Sequence, residues 1–348
     1  MKLTSYLHTS DKPAFVEAFS LLPTRVRRGR YRNALLPVQL ERALVDLQLP
    51  APCNFWLAEH DGQPIGRIAA NLSSHPQTGY LGFFEVDTRH ARAAGTAHML
   101  IDAACSFLQG KAVRAFGPVN LNTWLPYRFR VDASDERFFA WEPVNPPEYV
   151  EHFLNAGFSR SADYRSTAFG NLEQFLDRTE ADYRAALANG FRFRKFDWSR
   201  LLEGEAAALY RLTNQAFEDS FLFETAPQAL FDLFIGALGK PELDCTHFAV
   251  SPHGGDVGFF YAFTDRHPPS PAEDPETYIV LKSTGVTKEA RGQGLSNALA
   301  HLSAKSGLAK GAQYSIAALV RSGLQSESYA RKGDHFWQHH YALFERHL

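Results

Sequence analysis

Two copies of one α+β unit, joined in tandem, are what this 348-residue sequence predicts, and three observations carry the expectation. Each half holds a strand, turn, strand signal: Phe55 to Ile68 around Asp61-Gly62, and Thr246 to Phe260 around Gly254-Gly255-Asp256. In each half an apolar strand and a helical stretch follow, Tyr80 to Val86 with Arg92 to Leu108, and Tyr278 to Val286 with Asn297 to Leu308. Each half then ends on a similar signal, Tyr149 to Phe158 as a helix stopped by glycine, and Ser326 to Gly333. The join falls near Phe169 to Asn189, where Leu172 to Leu187 reads as an amphipathic helix before the strand-like Phe191 to Phe196. This gives domains 1–170 and 171–348. The proline-rich run Arg266 to Pro275 reads as a surface insertion.

Composition narrows the class. Hydrophobic residues make up 45% and charged residues 21%, with a net charge of -2, so nothing global pulls the chain toward nucleic acid or membrane. The 28 Phe and 13 Tyr beside 2 Met point to aromatic cores or a broad apolar cleft. Cys53, Cys105 and Cys245 are widely spaced and form no C-x-x-C pair, which suits a reducing cytoplasm and neither a disulfide framework nor zinc. No signal-peptide pattern or membrane-length apolar run is seen, so a cytoplasmic protein is expected. The histidines near the C-terminus, His335, His339, His340 and His347, lack carboxylate or cysteine partners at ligand spacing, and no metal is expected.

The segment that carries chemistry is Val286-Thr287-Lys288-Glu289-Ala290-Arg291-Gly292-Gln293-Gly294-Leu295-Ser296-Asn297. It joins a strand to a helix through two glycines, whose backbone freedom aims successive N–H groups at an anion while the helix start adds its dipole. A pyrophosphate fits such a cradle. No Lys-Ser/Thr follows the second glycine and no ribose-binding acid stands at βαβ spacing, so P-loop and dinucleotide readings fit worse.

Arg291-x-x-Gly294-x-Ser296 resembles the Q/R-x-x-G-x-G/A signature of the GNAT superfamily of acyl-CoA-dependent N-acyltransferases, with Ser296 in place of the usual Gly or Ala. The element order of both halves resembles the GNAT order too. The resemblance implies two GNAT-like domains, each a mixed, mainly antiparallel twisted sheet flanked by helices. It implies acyl-CoA, with acetyl-CoA as the expected form, bound by Gly285, Val286, Thr287, Arg291, Gly292, Gln293, Gly294, Leu295, Ser296 and Asn297, with no metal. The first half offers Asp87 to Gly95 at the matching place without both glycines in register, so it reads as a degenerate copy shaping the substrate cleft.

Acyl transfer to an amine needs a bound thioester, a neutral amine, a stabilised oxyanion and a proton for the departing thiolate. By the resemblance, a backbone N–H of Gly285 or Val286 polarises the carbonyl. Tyr329, in a Y-x-x-x-G ending at Gly333, resembles the family's phenol donor, and a phenol stays protonated at neutral pH. The alternative for Tyr329 is a core aromatic. Glu218, Asp219 and Glu224 lie on the expected acceptor wall as candidate bases, with a solvated face as the alternative, and Lys282 and Ser283 also reach the region.

Arg25, Arg27, Arg28, Arg30 and Arg32 form a cluster with Tyr31 that offers a grip on tRNA or a carrier protein, against a salted surface loop. Three functions therefore stand: N-acyl transfer from acyl-CoA to a small-molecule amine, transfer from a carrier protein or aminoacyl-tRNA, and a non-catalytic CoA-sensing or scaffold module.

Overall fold

The computed structural model describes all residues except 30, 32–34, 48–50, 133–137, 238–243, 267–275, 324 and 329–334. The proline-rich run beyond Arg266, the tyrosine proposed as acid, and Arg30 and Arg32 all lie outside the described residues. The first copy runs β1 (Lys2–Ser5), α1 (Lys12–Val26), α2 (Val38–Asp46), β2 (Cys53–His60), β3 (Gln63–Leu72), β4 (Thr78–Val86), α3 (Ala93–Leu108), β5 (Arg114–Gly117), β6 (Phe129–Arg130), α4 (Glu148–Asn155) and β7 (Ser159–Phe169). The second runs α5 (Leu172–Ala188), β8 (Arg192–Lys195), α6 (Glu205–Phe217), α7 (Gln228–Ala237), β9 (His247–Val250), β10 (Asp256–Arg266), β11 (Thr277–Val286), α8 (Leu295–Leu308), β12 (Tyr314–Arg321) and β13 (His335–His347). The α+β class and the repeat are both present.

The first hairpin turns on Asp61 and Gly62 with φ of 50° and 74°, the doubly positive pair that a two-residue turn matched to strand twist requires. Neighbouring residues on a strand serve opposite faces, and both faces are covered. Trp56 and Ala58 pack under α3, whereas Phe55 and Leu57 pack under α1 and α2. In the second copy Phe260 faces α8 and α5 while Phe259 faces α6 and α7. The phenylalanine-rich composition follows, because a sheet buried on both sides needs apolar volume at consecutive positions.

The copies interlock. All thirteen strands form one sheet, ordered β1-β2-β3-β4-β5-β13-β7-β12-β11-β10-β9-β8 with β6 beside β13. β7, the last strand of the first copy, pairs with β12 of the second, and β13, the last strand of the second, pairs with β5 of the first. Residues 170 and 171 join β7 to α5, and in space the final strand of each copy lies among the strands of the other. Beyond β6, Phe139 lies over the middle of the sheet, where it packs on Tyr278, Val280, Ile316 and Trp337.

Phe344, in β13, is fully buried in the core of the first copy against Phe129 and Phe153. Phe344→Ala is expected to cost about 3–5 kcal/mol. Because β13 belongs to the second copy by sequence, calorimetry should show one shifted transition for both halves; two transitions with only one displaced would contradict the interlocking.

Candidate acyl-transfer site

Strand β11 and strand β12 are parallel and paired from Tyr278–Tyr314 to Leu281–Ala317, and there the pairing ends. Two irregularities part them. The register of β10 against β11 shifts at Tyr261 and Ala262, leaving Lys282 without an opposite residue, and β12 shifts against β7 between Ala317 and Val320, where Leu319 has φ 57°. β11 continues through Lys282 to Val286 as one wall of a wedge, which leads into the glycine turn.

At that turn Gly292 and Gly294 have φ of 79° and 70°, values that an L side chain resists. Leu295 is buried and seats the helix, and the first intrahelical bond runs from Ala298 N–H to the Gly294 carbonyl at 3.0 Å. The N–H groups of Leu295, Ser296 and Asn297 therefore have no carbonyl four residues back in α8, the arrangement that binds anions.

The surroundings assign several residues differently from the sequence. Arg291 reaches back to the carbonyls of Val286 at 3.4 Å and Ala216 at 3.2 Å, so it ties the loop to β11 and α6. Gly285 has structural work: a Cβ there would lie 2.5 Å from Ala216 Cβ and 2.8 Å from the Phe259 ring. A Cβ on Gly294 would meet Asp182 of α5 at 3.1 Å, and Asn297 donates to the same carboxylate at 2.6 Å. Thr287 holds the end of the strand, its N–H donating to Val257 at 2.8 Å, while Gln293 stays exposed.

Glu218 and Asp219 both ion-pair with Lys288, at 3.1 Å for Asp219, on the outer flank of the loop. A carboxylate held by an ammonium is a poor base. Glu224 is turned to the first copy, bonded to the Ser73 hydroxyl and, at 3.1 Å, the Ser74 N–H.

The wedge of the first copy differs. β4 and β5 are parallel from Thr78–Arg114 to Tyr80–Phe116 and also part, but the chain beyond β5 fills the gap. Val119 N–H donates to Leu81 at 2.7 Å, the Asn120 side chain accepts from Phe83 N–H at 2.6 Å, and a Cβ on Gly82 would lie 2.2 Å from the Val119 carbonyl oxygen. The start of α3 carries Arg92-x-x-Gly95-x-Ala97, which fits the same signature. One glycine followed by an alanine satisfies that signature, so the absence of a glycine pair does not distinguish the first copy.

Beside the first copy's wedge lies a cavity of about 330 Å³, lined by Arg27, Glu85, Phe83, Trp141, Arg128 and Glu142 among others. Arg27 belongs to the arginine cluster but points inward, bonded to Glu85 at 2.6 and 2.9 Å and to the Val144 carbonyl at 2.8 Å. The cluster is thus divided: Arg25 and Arg28 are exposed, Arg27 is structural, and Arg30 and Arg32 lie outside the described residues. No surface patch of five arginines forms on the described residues. Among them no His, Cys, Asp or Glu group could hold a metal ion, and no helix is long and apolar enough to cross a membrane.

Lys282 stands at the mouth of the wedge. Burial, aided by the Arg128 charge and opposed by Glu142, lowers its pKa to about 7 from the usual 10.5. Between those values the unfolded chain binds more protons than the folded one, so stability is expected to rise with pH from about 7 toward 10.5. Denaturant melts across this range should show the slope, and Lys282→Met should flatten it; an unchanged slope in that variant would assign it elsewhere.

The acetyltransferase (GNAT) family model matches residues 20–123, within the first copy. Among solved structures, a tandem GNAT protein from the clavulanic acid biosynthesis pathway is 12% identical, with TM-score 0.53 over 99% of this chain and 98% of that one. A GCN5-related N-acetyltransferase from Sphaerobacter thermophilus is 14% identical, with TM-score 0.51 over 99% and 95%. The glucosamine N-acetyltransferase region of a fungal multi-domain GH3 β-N-acetylglucosaminidase is 15% identical with TM-score 0.56, and the chain spans 99% of itself but 38% of that protein. A search of curated protein sequences finds no match. The GNAT acetyltransferase family model thus covers part of the first copy, and the whole chain takes the fold of tandem GNAT proteins.

Proposed function

We propose that the protein is an N-acyltransferase whose second copy binds acyl-CoA, acetyl-CoA being the simplest donor, and whose acceptor is a small-molecule amine lying between the copies. The observation that carries this reading is the wedge beyond Leu281–Ala317, which opens at the glycine turn of α8, while the corresponding wedge of the first copy is closed by Val119 and Asn120. The turn would take the pyrophosphate on the N–H groups of Leu295 to Asn297, with the pantetheine arm along the wedge. Asp182 is the one group at the cradle that opposes an anion, and its bond to Asn297 would have to yield or turn aside.

In the reaction the amine nitrogen attacks the thioester carbonyl carbon. A C–N bond forms, the C–S bond breaks, and the electron pair leaves on sulfur as a thiolate. A backbone N–H of Gly285 or Val286 would stabilise the oxyanion. The thiolate takes a proton from Tyr329, whose role rests on the family resemblance. The acceptor nitrogen gives up two protons: the second, from the tetrahedral intermediate, replaces the one that Tyr329 passes to sulfur, and the first leaves the ammonium before attack. Lys282 is better suited to receive it than Glu218 or Asp219, since it can exchange a proton near neutral pH and they are held by Lys288. Transfer from a tRNA or carrier protein loses its main support, because Arg27 faces inward.

Hydrogen exchange with and without CoA tests the donor assignment. Protection should centre on residues 282–297; protection centred on 87–105 would transfer the donor to the first copy. For the acid, Tyr329→Phe should lower kcat by about a hundredfold, roughly 2.7 kcal/mol, with CoA affinity intact. Full kcat in a folded variant would return Tyr329 to a packing role.

A further inference from the structure

Three arginines line the cavity, and two of them are matched by carboxylates. Arg27 is paired with Glu85, and Arg67 with Glu41, whose other oxygen lies 2.9 Å from Arg67 Nη2. Arg128 differs. It is 7% exposed and lies between the rings of Tyr127 and Tyr164, at 3.8 and 4.0 Å from their centroids. Its Nη1 donates to the Leu319 carbonyl at 3.1 Å, its Nε has no partner, and among the described residues it has no carboxylate.

A buried guanidinium without a counter-charge is costly, and Glu142, also on the cavity wall, is taken up by His339 at 2.7 Å, by the Tyr341 hydroxyl and by Phe139 N–H at 3.1 Å. Leu319 is the residue at which β12 turns away from β11, so Arg128, from the first copy, stands at the join of the cavity and the second copy's wedge. Lys282 is the other cation there, and its lowered pKa reflects in part the unbalanced charge of Arg128.

We propose that this cavity is the acceptor site and that it takes an amine bearing an anionic group, a carboxylate or a phosphate, bound by Arg128. This rests on the acyl-transfer reading above. A guanidinium pairs with either anion through two parallel hydrogen bonds, and Arg128 lines the cavity with no carboxylate among the described residues to occupy it. Phe83, Phe84, Phe129 and Trp141 supply an apolar wall for the remainder of the molecule, and about 330 Å³ suits a single amino-acid-sized ligand.

The test follows acetyl transfer from acetyl-CoA to matched acceptors: phenylalanine against phenethylamine for the carboxylate, and phosphoethanolamine against ethanolamine for the phosphate. The anionic member of at least one pair should exceed its neutral partner by tenfold or more in kcat/KM, and the pair that does so identifies the anion. Arg128→Gln should abolish the gap while leaving CoA affinity unchanged. Equal use of both members of both pairs, or a gap that survives in Arg128→Gln, would overturn the proposal. Should that variant fail to fold, thermal melts of the unaltered protein decide. The anionic compounds should raise Tm and the neutral ones should not, and equal shifts or none would again overturn it. Calorimetry with CoA alone keeps the two readings apart: absence of CoA binding counts against the donor assignment, and an anion-dependent Tm shift stands without it.

Discussion

Backbone hydrogen bonding between exchanged strands is the constraint on which the rest of the molecule depends. β7 cannot leave β12, nor β13 leave β5, without exposing rows of N–H and C=O groups in the middle of a sheet covered on both faces. Two units that might have hung on a linker are thereby fixed in one register. Phe139 and Glu142, which precede α4, are then held over the central strands, Phe139 by packing and Glu142 by His339 and Tyr341.

That placement lets one copy furnish what the other lacks. The first copy has a parallel strand pair that parts in the same manner, but its own chain closes the gap. The second has a wedge that no described residue fills, with a glycine turn at its end, and Arg128 from the first copy bonds to its edge at Leu319. Duplication has thus given two similar frames with different fillings: a few residues after β5, not the frame, separate a closed cleft from an open one. A family's sequence pattern and an open cleft need not fall in the same copy, since the family model matches the first.

The charged groups follow the same logic. Arg27–Glu85 and Arg67–Glu41 satisfy one another around the cavity, and such buried pairs hold geometry more than they add stability. Arg128 has no carboxylate among the described residues, whereas the half-buried Lys282 near it is offset in part by Glu142. Unbalanced buried charge is unfavourable for folding alone, and sites of function are where such cost is tolerated.

The sequence by itself determined what local rules govern. Asp61-Gly62 fixed a hairpin, the apolar runs fixed β4 and β11, and the glycines at 292 and 294 fixed a turn opening a helix, because φ near 75° leaves few other choices. The repeat was legible for the same reason, each copy obeying the same local signals in the same order. Only the tertiary structure decided the partners of those signals. Strand exchange is invisible to periodicity, since β13 reads the same whichever strand it joins. Arg27 in a run of arginines looks like surface charge until Glu85, 58 residues on, is brought beside it. Gly285 and Gly294 owe their identity in part to Ala216 and Asp182, which pack against them from other helices. Lys282 and Arg128, 154 positions apart, acquire their meaning only from desolvation and proximity, which belong to the packed molecule and to no segment of it.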